Sequence, residues 1–406
     1  MSEGACRRIS VKPGEATSPR IESHDGVWRV RSTEAVRQIL RQRDATAQAG
    51  FNSESIPDGT MADQPILFLD GEPHRQQRSK IARYFAPKTV AARYRELMER
   101  RADALVAGMV ADGRARLDDV SLRYSTEVAA KVIGLTESRT DRMARRLEKL
   151  FDQPPYDPAR GDGEGRGRAA LRQLRGAAPM AWFYVWDVRP AIRERRRAPQ
   201  EDVISHLLKE GYGIPAILIE CVTYGAAGMA TTREFISMAA LHLLRDGALR
   251  ARYVQADEAE RYAILHEILR LEPIVGHLYR RAEREFTFDD AGVTHTVRAG
   301  QLLDLHIRQA NADPATVGEA PLDLCPGREL PRGIGAEVMS FGDGPHKCPG
   351  NALAIQETDI LLTRLFAHDV ALVGEPDLGW DEIISGYALR NVTIAVSPSD
   401  LHRLPG

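Results

Sequence analysis

The chain has 406 residues, 43% hydrophobic and 28% charged, with a formal net charge of −2. That near-neutral balance, with arginines and acids interspersed, excludes a nucleic-acid binder built on a basic face, and the length allows a large core with a buried pocket. Four cysteines (Cys6, Cys221, Cys325, Cys348) lie far apart with no CxxC pair, which argues against a disulfide framework or a zinc ribbon and fits a reducing cytosol.

Met1 to Pro19 is polar and lacks the apolar stretch of a signal peptide. Residues 1–20 are expected as a loose arm ahead of one integrated domain over 21–406. Val27 to Val30 alternates as a short strand, and Thr33 to Arg41 carries a helical pattern. Residues 44–66 are polar with Gly and Pro, a long loop. Helical patterns return over Pro73 to Phe85 and Val90 to Asp112. Asp152 to Arg168, rich in Pro and Gly, reads as a mobile connection. Residues 200–210 and 215–246 are helical, the second long and mostly apolar; strand-like runs follow at 285–304 and near 369–373 and 391–396. No run reaches the roughly 18 consecutive apolar residues of a membrane span, so a soluble, cytoplasmic chain without an anchor is expected. Helices dominate, giving a mainly α fold with a small β region.

The sharpest chemical signal is Phe341-Gly342-Asp343-Gly344-Pro345-His346-Lys347-Cys348-Pro349-Gly350, followed by an apolar helical pattern. A helix N-terminus offers free N–H groups and a positive dipole end, both of which stabilise a thiolate. Gly342, Gly344 and Gly350 permit positive φ and close approach to a flat ligand, Pro349 suits a first helical position, and Phe341 can keep the loop dry. Cys325-Pro326-Gly327 repeats the tripeptide without the Phe, the preceding glycines or the histidine, and reads as structural.

This loop resembles the Phe-Gly-x-Gly-x-His-x-Cys-x-Gly signature of the cytochrome P450 family, in which a Cys thiolate ligates haem iron. The resemblance implies a P450-like helical fold and heme b (iron protoporphyrin IX) held by Cys348. It implies a mono-oxygenase that activates dioxygen with electrons from NAD(P)H, delivered by a separate ferredoxin and ferredoxin reductase. A small-molecule substrate, by family habit a secondary metabolite, would be oxidised. The alternatives are an atypical haem-thiolate oxidase (aryl coupling, desaturation or nitration) and a non-catalytic haem sensor or carrier.

Other motifs gain meaning from the resemblance. Glu267 and Arg270, at i and i+3 on one helix face, match the Glu-x-x-Arg pair that buttresses the haem-binding core, with Arg328 as the third member. His266-Glu267 hints at a zinc protease, but Arg270 stands where that motif needs its second histidine. Arg280, in preference to Arg281, matches the arginine that binds a haem propionate. His74 and Arg78, at i and i+4, match the family's His-x-x-x-Arg, and His346 is expected to add a propionate contact. Arg75, Lys80, Arg83 and Lys347 form a candidate docking surface for an acidic electron donor.

Ala227-Gly228-Met229-Ala230-Thr231-Thr232 matches the family's oxygen-activating stretch. Ala227 and Gly228 would make room for dioxygen, and Thr231 would supply the hydroxyl. The chain departs from the pattern at Ala230, where the family usually carries Asp or Glu; Glu234 lies one turn further on. Ile355-Gln356, where many members carry Arg, is a second departure. The resemblance also sketches a substrate pocket from Phe51, Met61, Ile66, Tyr224, Val275, His277, Ile384 and Tyr387, mostly apolar as such cavities are.

Overall fold

A computed structural model of the chain describes residues 7–50, 64–151, 178–381 and 384–398. The expected connection over 152–168 lies outside them. The fold is predominantly helical with small sheets, as the sequence pattern predicts.

Its axis is the helix Ile214–Arg245, which packs against Leu117–Ile133 along much of its length and against Asn351–Leu365. Small residues set the closeness of the first contact: a Cβ on Gly228 would sit 3.1 Å from Ala129 Cβ, and one on Gly225 would sit 3.4 Å from Leu147. By length and composition this is the one helix among the described residues that is apolar enough to cross a membrane. Its second half, with Phe235, Ile236, Met238, Leu241 and Leu243, is buried in the main core cluster.

A five-stranded sheet lies to one side, in the order Ile21–His24, Val27–Val30, Leu302–His306, His277–Ala282, Thr46–Ala49. Val27–Val30 runs parallel to Leu302–His306, which pairs antiparallel with His277–Ala282 in the register His277↔His306. Helix Thr33–Leu40 covers one sheet face, where Val36, Ile39, Leu40, Leu303 and Leu305 make a second core cluster. Its N-cap Ser32 accepts from Ala35 N–H, satisfying a terminal donor. Three strands (Arg114–Arg116, Thr393–Ser397, Asp369–Leu372) and two hairpins complete the β part.

Val90 to Asp112 is helical as expected, with Val90–Tyr94 a π-helix leading into Arg95–Asp112. Two expectations need correction. Residues 44–66 are not all loop, since Thr46–Ala49 pairs with His277–Ala282 as an edge strand. The described part of the N-terminal arm is fastened rather than loose. Ile9 N–H and the Ser10 hydroxyl both donate to the buried Glu272 carboxylate, and Arg308 bonds Ser10 O at 2.7 Å and Glu15 at 2.8 Å. A buried carboxylate needs donors, and the arm supplies them.

Candidate functional site

The loop 341–350 is built by its own backbone. Cys348 N–H donates to Phe341 O (2.8 Å) and Gly342 N–H to Met339 O (2.8 Å). Asp343 accepts from Gly344 N–H (2.7 Å) and pairs with Arg37 (3.2 Å) and Arg41 (2.9 Å), tying the loop to the first helix. Gly344, at φ +67°, leaves no room for a side chain: a Cβ would lie 2.1 Å from Leu40 O. Gly350 differs from expectation, with an ordinary φ of −86°; a Cβ there would project into open space. Pro349 also falls outside the helix, which starts at Asn351. Every residue from Phe341 to Gly350 is half-buried. Burial pushes the Cys348 thiol up, against the Gly350 N–H and the nearby Arg78 and Lys347 charges.

Beside this loop four nitrogen-bearing side chains converge. His74 is buried and stacks on His346 with ring centroids 4.0 Å apart. Arg78 donates to Lys347 O and lies within electrostatic reach of Cys348 and Tyr224. Arg280 is buried and bonds two neutral oxygens, Gln48 Oε1 and Tyr279 O (2.8 Å). Asp70, 3.0 Å from His346 Nε2, is the acid of this cluster. Burial pulls Arg280 down to about 10 against the attraction of Asp70, and burial, His346 and Arg78 together pull His74 down to about 4. The cluster therefore holds more positive charge than its surroundings neutralise. Arg281 turns elsewhere, to Gly300 O at 3.1 Å.

On the long helix, Ala227 is exposed and Thr231 half-buried, one turn apart on the same side. The Thr231 hydroxyl donates to Ala227 O at 2.5 Å, leaving its oxygen lone pairs available. Gly228 does not share that side. It faces Ala129, so its smallness serves helix packing rather than room for a ligand. Glu234 is fully engaged, with Arg390 at 2.6 Å, Leu389 N–H at 2.8 Å and Arg233 at 3.0 Å. It cannot stand in for the acid missing at Ala230.

Behind the loop, Glu267 and Arg270 form a bidentate pair (2.7 and 2.8 Å), and Arg270 is wholly buried. Arg270 also donates to Asn311 O and Pro321 O, both at 2.8 Å. Glu267 accepts from Arg328 Nε (3.2 Å) and Cys325 N–H (3.0 Å). This pair is no surface ion pair; it bolts the helix Glu258–Leu271 to the segment leading into the Cys loop.

A half-buried thiol under a glycine-built loop, a hydroxyl on the neighbouring helix and an under-neutralised cationic cluster beside them set the comparisons in context. A family model described as cytochrome P450 matches residues 262–368, which contain the Glu267–Arg270 pair and the Cys loop. Over this stretch, and in the relatives that follow, the chain is similar to cytochromes P450. It is 26% identical to cytochrome P450(MEG) of Priestia megaterium, with 86% of this chain and 84% of that protein covered. It is 27% identical to the mycinamicin VIII C21 methyl hydroxylase of Micromonospora griseorubida, with 86% and 85% covered. Among solved structures, a mutant of P450 EryK in complex with erythromycin B superposes with a TM-score of 0.74 at 21% identity, over 95% of both chains. With P450 hydroxylases among its relatives, the chain is an oxidoreductase.

The residues present fit haem. Its propionates would be the anions that Arg78 and Arg280 lack among the described residues, with the stacked His74 and His346 beside them, and a Cβ on Gly350 would meet nothing within 4 Å. The anticipated pocket is assembled in part. Phe51 and Met61 lie outside the described residues. Ile66 is buried, with its N–H on Glu220 (2.9 Å), and Tyr224 stacks on Phe85 at 5.8 Å. Val275 is half-buried, and Ile384 O accepts from Gly276 N–H at 2.9 Å. Tyr387 is a core residue rather than a lining one, fully buried with its hydroxyl 3.5 Å from Glu234 O. His277 turns its Nδ1 to Asp304 at 2.7 Å.

The expected basic docking face is largely paired already: Arg75 with Glu72, Lys80 with Glu210 (2.6 Å) and Lys347 with Glu337 (3.3 Å). Two buried acids escaped the sequence reading. Glu220, on the long helix, bonds Ile66 N–H and Gln77, and burial raises it to about 7. Glu357, in the helix after the Cys loop, meets Thr232, and burial pushes it well above the carboxylate range. The signal for both was an acid inside an apolar helical run.

Proposed function

We propose that this protein is a haem-thiolate mono-oxygenase that takes electrons from NAD(P)H through a ferredoxin and ferredoxin reductase and oxidises a small organic substrate, a secondary metabolite by analogy with its hydroxylase relatives. The observation that carries the reading is Cys348, half-buried in its glycine-built loop beside the unmatched cations Arg78 and Arg280. Haem, once bound, supplies reductive dioxygen chemistry, to which a thiolate ligand lends electron density. Cys348 holds the metal, with the Gly350 N–H and Arg78 stabilising the sulfur's negative charge. Arg78, Arg280, His74 and His346 orient the propionates, and Glu267, Arg270 and Arg328 hold the loop that carries Cys348. Thr231 would offer a hydroxyl oxygen to the bound group, while Ala227 leaves the helix surface open next to it. The protein works in the cytosol.

Ala230 and the engaged Glu234 favour a second reading of the same site. Without an acid on this turn, a proton must come from water or substrate, or the oxidation is of an atypical kind (coupling, desaturation or nitration). The first test is the carbon-monoxide difference spectrum of the reduced protein. A strongly red-shifted Soret band that disappears in Cys348→Ser supports the thiolate; a histidine-like band in wild type overturns the reading. NADH use with surrogate redox partners then separates an enzyme, whose rate rises with substrate, from a sensor or carrier. In Ala230→Asp, product formed per NADH should rise if proton supply limits the native enzyme; no change rejects that explanation.

A further inference from the structure

The five-stranded sheet carries a second cluster of ligating side chains. In the strand Leu302–His306, Asp304 and His306 are two apart and point to the same face. His277, on the antiparallel neighbour, lies directly opposite His306. Arg280, three residues further along, points to the other face, so this cluster is separate from the cationic one.

His277 Nδ1 is 2.7 Å from Asp304 Oδ1, and His306 Nε2 is 3.2 Å from Asp304 Oδ2. The two imidazoles stand 4.2 Å apart, centroid to centroid. One ligand atom from each of the three residues falls within 4.8 Å of the others. The three side chains are 10–15% exposed. His306 Nε2 is buried and, despite its nearness to the carboxylate, makes no hydrogen bond of acceptable geometry. A plain His–Asp–His hydrogen-bonded chain would have used that nitrogen.

We propose that His277, Asp304 and His306 bind a divalent transition cation of the zinc class. Two residues at i and i+2 on one strand and a third across from them present three donors to one point and leave a fourth position for water. Ligand bonds of about 2.0–2.2 Å in a tetrahedral site put donor atoms roughly 3.3–3.5 Å apart, within reach of side-chain rotation from the observed spacing. Two imidazoles and a carboxylate suit zinc better than calcium or magnesium, which favour all-oxygen shells.

The test uses the haem-loaded protein, stripped of loose metal with a chelator and dialysed against micromolar zinc, with bound zinc counted by elemental mass spectrometry. Wild type should retain one more zinc per chain than a His277→Ala/His306→Ala variant, and added zinc should raise the melting temperature of wild type only. Equal zinc in both proteins, or none in either, overturns the site. If the double variant fails to fold, as shown by lost haem and a non-cooperative melt, His306→Gln decides: its zinc affinity should fall about tenfold or more, and an unchanged affinity overturns the proposal.

Discussion

Two of the buried arginines, Arg270 and Arg280, are held in opposite ways. Arg270 is surrounded by matched partners: both oxygens of Glu267, two carbonyls at 2.8 Å, and Arg328 sharing the same carboxylate. Arg280 is as deeply buried but bonds only neutral oxygens and feels one acid, Asp70. A buried charge with complete partners serves the fold; one without them costs folding energy until an anion arrives. The difference separates a structural ion network from a binding site without reference to any ligand.

The largest expected effect comes from breaking the closed network. Glu267→Ala strands two arginines and should cost about 3–5 kcal/mol, read as a collapse of soluble yield or of the denaturant midpoint. Next, Arg280→Leu should have opposite effects in the two states: the cofactor-free protein gains about 1 kcal/mol, while haem transfers to apomyoglobin about tenfold faster. If Arg280→Leu destabilises the cofactor-free protein as Glu267→Ala does, the contrast is wrong. A smaller effect follows from His74, which protonates near 6.5 when unfolded but only at about 4 when folded. Between those values the unfolded chain holds more protons, so the stability of the cofactor-free protein should fall as pH drops through the window. His74→Gln should flatten that slope, measured as denaturant midpoint against pH. The smallest effect is expected at Arg75, one residue away but exposed and paired with Glu72: Arg75→Gln should leave haem retention and stability unchanged.

What could be read from the chain follows from how locally each feature is written. The fold class and the Cys348 loop were legible because helical periodicity and the ten-residue run are contiguous. Glu267 and Arg270 were visible as a spacing, but their complete burial was not, and the Arg328 bond spans 61 residues. The closeness of Gly228 to Ala129 was not legible, because a one-dimensional motif does not say which helix side meets a neighbour. Glu234 was visible one turn from Ala230, but its hold by strand Gly386–Arg390 was not. The His277–Asp304–His306 cluster depends on a strand register that no local pattern specifies.

The fastened N-terminal segment has a consequence for synthesis. Residues 8–15 find their partners at Leu271, Glu272 and Arg308, 262 to 300 positions later in the chain. On a ribosome that segment emerges long before its partners and cannot reach its seat until they have followed. Until then Glu272 lacks the donors that Ile9 and Ser10 supply, and the segment remains open to chaperones and proteases. Its docking is thus a late event, a natural marker that synthesis has passed Arg308.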